Sequence, residues 1–382
     1  MIRGIKWIIA GSFILFGVVA GIGGGGSTQI GYAASVVKTK YALGDYQAKK
    51  LKWVQNKNEF VSRPKTYAWS TTYHRQGTFQ TRPETYTTRR GNAPATLTTD
   101  LYLPITVRSS GDWGNPQSLV LTKNGQTAYV GYLEAGTTST GWIVRYDLAK
   151  LRQKFGATTG NMALIRQATN AYSKGKTTSQ QKTVMAAMKI GPTFDLGHGQ
   201  SLALNPRTQQ LWLSRTSGED GRYGSAVRVS TRTLRPVQTV DYRLVNKTGA
   251  KIAVNSTLTF DKHGYAYFSS YSGKRALRVY RGTISKKGVH FNLVMQGLKY
   301  RPGQTHQSIA YNAKNDRLYF VSDDAISSVP LAKLNRGKAK PKDVKATVFA
   351  SHREFEGLSF TGSGQAYVIL NRGPELMRLT FK

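Results

Sequence analysis

The chain has 382 residues, with 55 Lys and Arg against 19 Asp and Glu, six His and no Cys, for a net charge of +36. That length supplies one large domain held by apolar burial, while the absence of Cys excludes disulfides, thiolate metal sites and a lipid anchor on Cys. So large a surplus of cations attracts polyanions, with an affinity that falls as salt rises.

The chain opens on Met1-Ile2-Arg3-Gly4-Ile5-Lys6, an apolar run over 7–22, glycines over 23–26 and the small residues Gly31-Tyr32-Ala33-Ala34-Ser35. This order predicts a secretory signal peptide over 1–34, cleaved after Ala33 or Ala34. The run is short for a stable span, so no transmembrane segment is expected once the signal is removed, and an uncleaved anchor is the alternative. The predicted location is extracellular, exported from a Gram-positive bacterium, with retention on the cell wall as a variant.

Residues 35–94 read as a basic N-terminal arm. Lys38, Lys40, Lys49, Lys50 and Lys52 crowd its start, and Tyr67, Trp69, Tyr73, Phe79 and Tyr86 interleave with Arg63, Arg75, Arg82, Arg89 and Arg90. Such a pattern suits a stacking surface for sugars or single-stranded nucleic acid, or aromatics packed on the flank of a neighbouring domain. The second reading is favoured.

From residue 95 the pattern changes. Leu97, Leu101, Leu103, Ile105 and Val107 alternate over 95–109 and predict a strand. A five-fold repeat follows, each copy led by a polar residue: Gln117, Gln200, Asn255, Gln307 and Glu356. In four copies an aromatic stands 12 positions later (Tyr129, Trp212, Tyr267, Tyr319), and in the fifth Tyr367 stands at 11. Each copy reads as strand, turn, aromatic-bearing strand, then a third strand with Arg between apolar neighbours: Arg145, Arg228, Arg278 and Arg378. The fourth copy departs, with Ile326-Ser327-Ser328-Val329. Fourth strands are predicted over 236–244, 291–298 and 345–350. Four strands per unit of about 50 residues is the period of a propeller blade.

The leaders are spaced 83, 55, 52 and 49 residues apart. The long first interval carries a helical insertion over about 148–190, read as helices at 148–155, 162–172 and 179–188 from its Ala, Gln, Lys, Met and Leu content. The predicted fold is therefore all-β: a five-bladed β-propeller over 95–382, its last blade completed by the strand at 95–109. A six-bladed count is the alternative, using the strand-like Tyr67-Ala68-Trp69 and Thr78-Phe79-Gln80 within 66–88.

In such a ring the leaders converge at one mouth of the channel, with His198, His306, His352 and Glu354 just above them. Amides, imidazoles and a carboxylate suit sugar or polyol hydroxyls. Gln117, His198, Gln200, Asn255, His306, Gln307, His352 and Glu356 are thus the candidate ligand-binding residues, the competing reading being a self-satisfied polar plug. A glycoside hydrolase or lyase would use Glu354 and Glu356, with His306 or His352, but two carboxylates on one strand approach a bond poorly from opposite sides. The three histidines share no local ligand spacing, and Glu219-Asp220 and Asp323-Asp324 lack the alternating oxygens of calcium loops, so no metal and no cofactor is expected. Lys333, Arg336, Lys338, Lys340, Lys342 and Lys345, opposed only by Asp343, form the candidate polyanion-binding stretch.

The block His198-Gly199-Gln200-Ser201-Leu202-Ala203-Leu204-Asn205-Pro206 to Leu211-Trp212-Leu213, and the ending Glu356-Gly357-Leu358 to Glu375-Leu376-Met377-Arg378-Leu379, resemble the helveticin J-like secreted proteins of lactobacilli. The likeness spans about 113–382. It implies a large, heat-labile bacteriocin-type protein, or an extracellular relative of it, acting at the envelope of related bacteria, and it supplies no catalytic residues. The expected partner is teichoic or lipoteichoic acid, another anionic surface polymer, or a glycan, with nucleic acid not a physiological partner. A wall-retained adhesin or scaffold is the third reading.

Overall fold

Strands apolar on both faces must be covered on both, and the chain meets that demand by standing five sheets side by side around an axis. The computed structural model describes residues 36–42, 51–69, 83–105, 114–153, 163–217, 223–245, 251–252, 254, 257–285 and 288–382. The predicted signal segment and the leader Asn255 lie outside them. Among the described residues no helix is long and apolar enough to cross a membrane.

From the axis outward, blade 1 consists of Gly114–Leu121, Thr127–Glu134 and Thr140–Asp147, with Met188–Ile190 and Phe194–Asp195 on its outer edge. Blade 2 is Ala203–Asn205, Gln210–Ser217, Tyr223–Val229 and Pro236–Val245. In blade 3, Thr259–Phe260, Ala266–Ser272 and Ala276–Ser285 are followed by two short outer strands, Gly288–Leu293 and Gln296–Leu298, where the sequence predicted one. Blade 4 is His306–Asn312, Arg317–Ser322, Ala325–Pro330 and Lys345–Val348. The C-terminal strands Glu354–Phe360, Ala366–Asn371 and Glu375–Phe381 make blade 5, and Ala95–Tyr102 adds its fourth strand, antiparallel to Glu375–Phe381. The N-terminal strand therefore closes the ring. The count is five blades: Thr85–Thr87 is a further outer strand of blade 5, Tyr67-Ala68-Trp69 lies in no strand, and Thr78-Phe79-Gln80 lies outside the described residues.

The core divides into five layers, one between each pair of neighbouring blades. Trp142 and Trp212 are the largest side chains buried in them. The repeat signature has a physical basis in this packing. Tyr129 stands opposite Arg145, Trp212 opposite Arg228 and Tyr367 opposite Arg378 on adjacent strands, so in three blades the two repeated residues are cross-strand partners, whereas in blade 3 Tyr267 stands opposite Arg281 and the predicted Arg278 opposite Ser270. In blade 4 the partner of Tyr319 is Ser328, which is where the sequence departs.

The insertion in blade 1 forms helices at Leu148–Gln153, Leu164–Ser173 and Ser179–Met185, the last opened by a Thr178–Gln181 capping box. Met188, predicted to end the third helix, instead starts an edge strand because its backbone pairs with Tyr146. Arg166 of the second helix is buried, donating to the carbonyls of Leu103 (3.2 Å) and Pro374 (3.0 Å) and lying over the Tyr102 ring. It thus ties the insertion to the end of the closing strand.

Segments before residue 95 run along the outer edges of successive blades. Val36–Ala42 pairs in parallel with the outer strand of blade 2 and Lys52–Val54 with Gln296–Leu298 of blade 3, while Arg90–Gly91 pairs with Lys345–Val348 of blade 4. Each addition covers backbone groups that an edge strand would leave open.

Candidate functional site at the channel

Gln117, Gln307 and Glu356 are polar residues within apolar strands, while Gln200 lies in a turn just before Ala203–Asn205, and the backbone explains how the strand leaders are tolerated. The ladder between the first two strands skips one residue between Pro116 and Ser118 and between His306 and Ser308, and two, Glu356 and Gly357, between Phe355 and Leu358. Gln117, Gln307 and Glu356 therefore sit on β-bulges, which turn a side chain away from the face its neighbours occupy. Gly357, the residue after Glu356, faces the backbone of blade 1 so closely that a Cβ would meet the Leu119 nitrogen at 2.5 Å.

The four described leaders converge on one carboxylate. Glu356 accepts from Gln117 (3.3 Å), from Gln200 (3.4 Å) and from Asn371 (3.0 Å), and Gln200 also donates to the Gln307 side-chain oxygen. Gln307 in turn donates to Asp323 at 3.1 Å, and the other Asp323 oxygen takes the Tyr67 hydroxyl at 2.7 Å. Gln117, Gln307, Glu356, Asp323 and Tyr67 are all buried. Burial, with the negative charges of Glu354 and Asp323, raises the Glu356 carboxyl well above its ordinary range, and the amide donors only partly oppose this. Burial likewise raises Asp323. Most of this buried network is internally paired, the exception being the Asn371 side-chain oxygen, which has no hydrogen-bond partner.

The remaining candidates divide by environment. His306 is buried against the Ser269 hydroxyl at 2.6 Å, and desolvation pushes its imidazole down to about 4. His198 and His352 are exposed. Glu354 is half-buried and pairs with Arg372 at 3.0 Å, its carboxyl raised by burial. It differs from Glu356 because the bulge between them breaks the simple two-residue alternation. Among the described residues no group of three His, Asp or Glu is placed to hold a metal ion.

Sequence reasoning did not place Tyr67, Asp323 or Asn371 in this network. Asn371 closes a second strand against Glu354, and only the blade 5 register brings it to Glu356. Tyr67 comes from the N-terminal side, where Ala68 donates its backbone N–H to the His352 carbonyl at 2.8 Å and Arg63 and Arg372 lie over the Tyr67 ring. It is buried rather than available for stacking, and its hydroxyl pKa is raised by burial and by Asp323. Tyr73 and Phe79 lie outside the described residues.

The basic stretch has a different setting. Lys333, Arg336, Lys338, Lys340 and Lys342 are exposed on the connection between the last two strands of blade 4, and Lys345 is exposed at the first position of the last strand. Asp343 is occupied locally: its carboxylate takes Lys333 Nζ at 2.6 Å and the Lys340 backbone N–H at 2.8 Å, and the Lys333 contact holds it below its usual range. Gln296 clamps the base of the connection through both backbone groups of Ala339 (3.0 and 2.8 Å), so the cations project from a fixed scaffold. Lys52, exposed, starts the strand that pairs with Gln296–Leu298, and adds to the same rim.

The fold defines the class, a five-bladed β-propeller. No protein-family model matches the chain, and no curated protein sequence does. Among solved structures it is similar to a streptogramin B lyase at 14% identity over 76% of this chain and 73% of that one, with a TM-score of 0.30. A glucose dehydrogenase is similar at 11% identity over 74% and 84%, TM-score 0.34. A putative 6-phosphogluconolactonase from Bacteroides uniformis is similar at 10% identity over 78% and 82%, TM-score 0.36.

Proposed function

We propose that this is an exported propeller that binds an anionic polymer of the Gram-positive envelope, teichoic or lipoteichoic acid, through its blade 4 connection. The observation that carries the reading is the cluster of six exposed cations on one anchored connection and the first position of the strand it leads into, its single acid already engaged, in a chain of net charge +36. Closely set cations facing a phosphate-rich chain gain from release of its counterions, an effect that is strong at low salt and needs no shaped pocket. Binding of this kind is the first step required of a helveticin-like bacteriocin, and it equally serves a wall-retained adhesin. The buried, amide-saturated state of Glu356 favours a structural over a catalytic role for the polar ring, because a general acid or nucleophile must reach its substrate. The test is binding of the protein to purified cell walls with and without teichoic acid across a salt series. Binding that requires the teichoic acid and collapses with salt is expected, and salt-resistant binding to stripped walls would move recognition to a neutral glycan.

A further inference from the structure

The channel end opposite the amide ring has a different chemistry. Its lining begins two residues past each described leader, at Leu119, Leu202, Ile309 and Leu358, and continues outward past Phe260 and Phe360 to the turns of the inner hairpins. These residues enclose a cavity of about 380 Å³, within the size of small-ligand sites. The buried ring of Glu356, Gln117 and Gln307 lies beyond its inner end. Three exposed cations stand at the outer rim, one per blade: Lys123, Arg207 and Lys262. The neighbouring turns are rigid, since Asn205 and Asp261 accept backbone N–H groups two residues on, from Arg207 at 2.9 Å and from His263 at 2.9 Å. The rim acid Asp261 is engaged by those backbone donors and by the Tyr267 hydroxyl at 3.2 Å, and Lys262 pairs with a second acid, Asp316, at 3.6 Å, so Lys123 and Arg207 supply the collar's cationic excess.

We propose that this shaft binds the hydrocarbon tail of a single-chain amphipathic anion, tail inward and headgroup at the Lys123–Arg207–Lys262 collar. Inner strands of all five blades line the shaft. Each buried methylene contributes about 0.8 kcal/mol, while a headgroup held at the rim keeps most of its hydration. Opposite charges at the mouth orient the ligand and raise its local concentration. A free fatty acid and a single-chain anionic phospholipid share this chemistry. The inference does not rest on the wall-polymer reading.

Titration calorimetry with dodecanoate and with dodecanoyl lysophosphatidylglycerol, each below its micelle concentration, tests it. One molecule bound per chain is expected for at least one of them, and whichever binds more tightly identifies the source as free acid or lysolipid. The combined change Lys123→Glu, Arg207→Glu and Lys262→Glu, all at exposed positions, is expected to weaken binding by about tenfold or more. Thr259→Trp, which fills the shaft wall, should abolish it, and dodecyl glucoside, with the same tail and no charge, should bind less tightly than dodecanoate. Charge reversal at Lys338, Lys340 and Lys342 should leave it unchanged, separating this site from the polymer surface. No saturable binding, equal binding of tail-less butyrate, or indifference to both the collar change and Thr259→Trp overturns the proposal.

Discussion

Arg353 and Lys338 carry the same charge in opposite surroundings. Arg353 is fully buried in blade 5: its guanidinium meets Glu84 at 2.8 Å and Glu375 at 3.0 Å, the Tyr86 hydroxyl, and the carbonyls of Asn371 and Gly373. Glu375 also takes the Thr99 hydroxyl at 2.7 Å, so one buried cluster joins the C-terminal strands to the closing strand and to the segment that precedes it. Lys338 stands in water among cations of its own sign. The first charge is spent inside the fold, where it specifies which strand closes the ring; the second makes no contact that the fold requires. A net charge of +36 is therefore read as a partner signal only after the buried cations are set apart.

The sharpest way to break that contrast is Arg353→Met. It leaves Glu375 buried without its counter-charge, and a loss of about 3–5 kcal/mol is expected in chemical denaturation. Lys338→Met should change stability by less than about 0.5 kcal/mol in the same assay. A second probe uses pH. Because burial raises Glu356 well above 4.5, the folded protein keeps a proton that the unfolded chain releases just above that value. The stability due to this group is full below 4.5 and is lost as pH rises through its raised value. Glu356→Gln should therefore flatten the decline of melting temperature between mildly acid and neutral pH relative to the unaltered protein, and identical slopes would contradict a buried, raised carboxyl. Tyr67→Phe removes one hydrogen bond to buried Asp323 and should cost about 1 kcal/mol, measured by the denaturation midpoint. The smallest stability effect belongs to the combined change Lys338→Glu, Lys340→Glu and Lys342→Glu, within about 0.5 kcal/mol, because no fold contact depends on those side chains.

Much of the fold was legible because period-two alternation and a repeated polar leader are local signals. The leader-to-aromatic spacing located the hairpins, and the alternation from Leu97 onward marked the strand that closes blade 5. What stayed hidden depends on long-range register. The bulges that re-aim Gln117, Gln307 and Glu356 have no local marker, since a bulge is a mismatch between two strands. Asn371 and Asp323 look like turn-proximal polar residues, and only the ring geometry brings them to the leaders. The Arg353 cluster was invisible for a related reason, its partners lying 269 and 22 residues away in the chain. Lys123, Arg207 and Lys262 went unread in the sequence, because isolated cations in separate turns gain meaning only where the turns meet around one mouth.

The most direct measurement is the salt dependence of binding to purified lipoteichoic acid, comparing the unaltered protein with the Lys338→Glu, Lys340→Glu and Lys342→Glu protein at equal folded stability. Weaker binding is expected for the variant, by about tenfold or more near physiological salt, with a shallower decline of affinity with salt. Equal affinity and an equal salt slope would contradict it, and would leave the blade 4 connection as a solvated loop with no part in recognition.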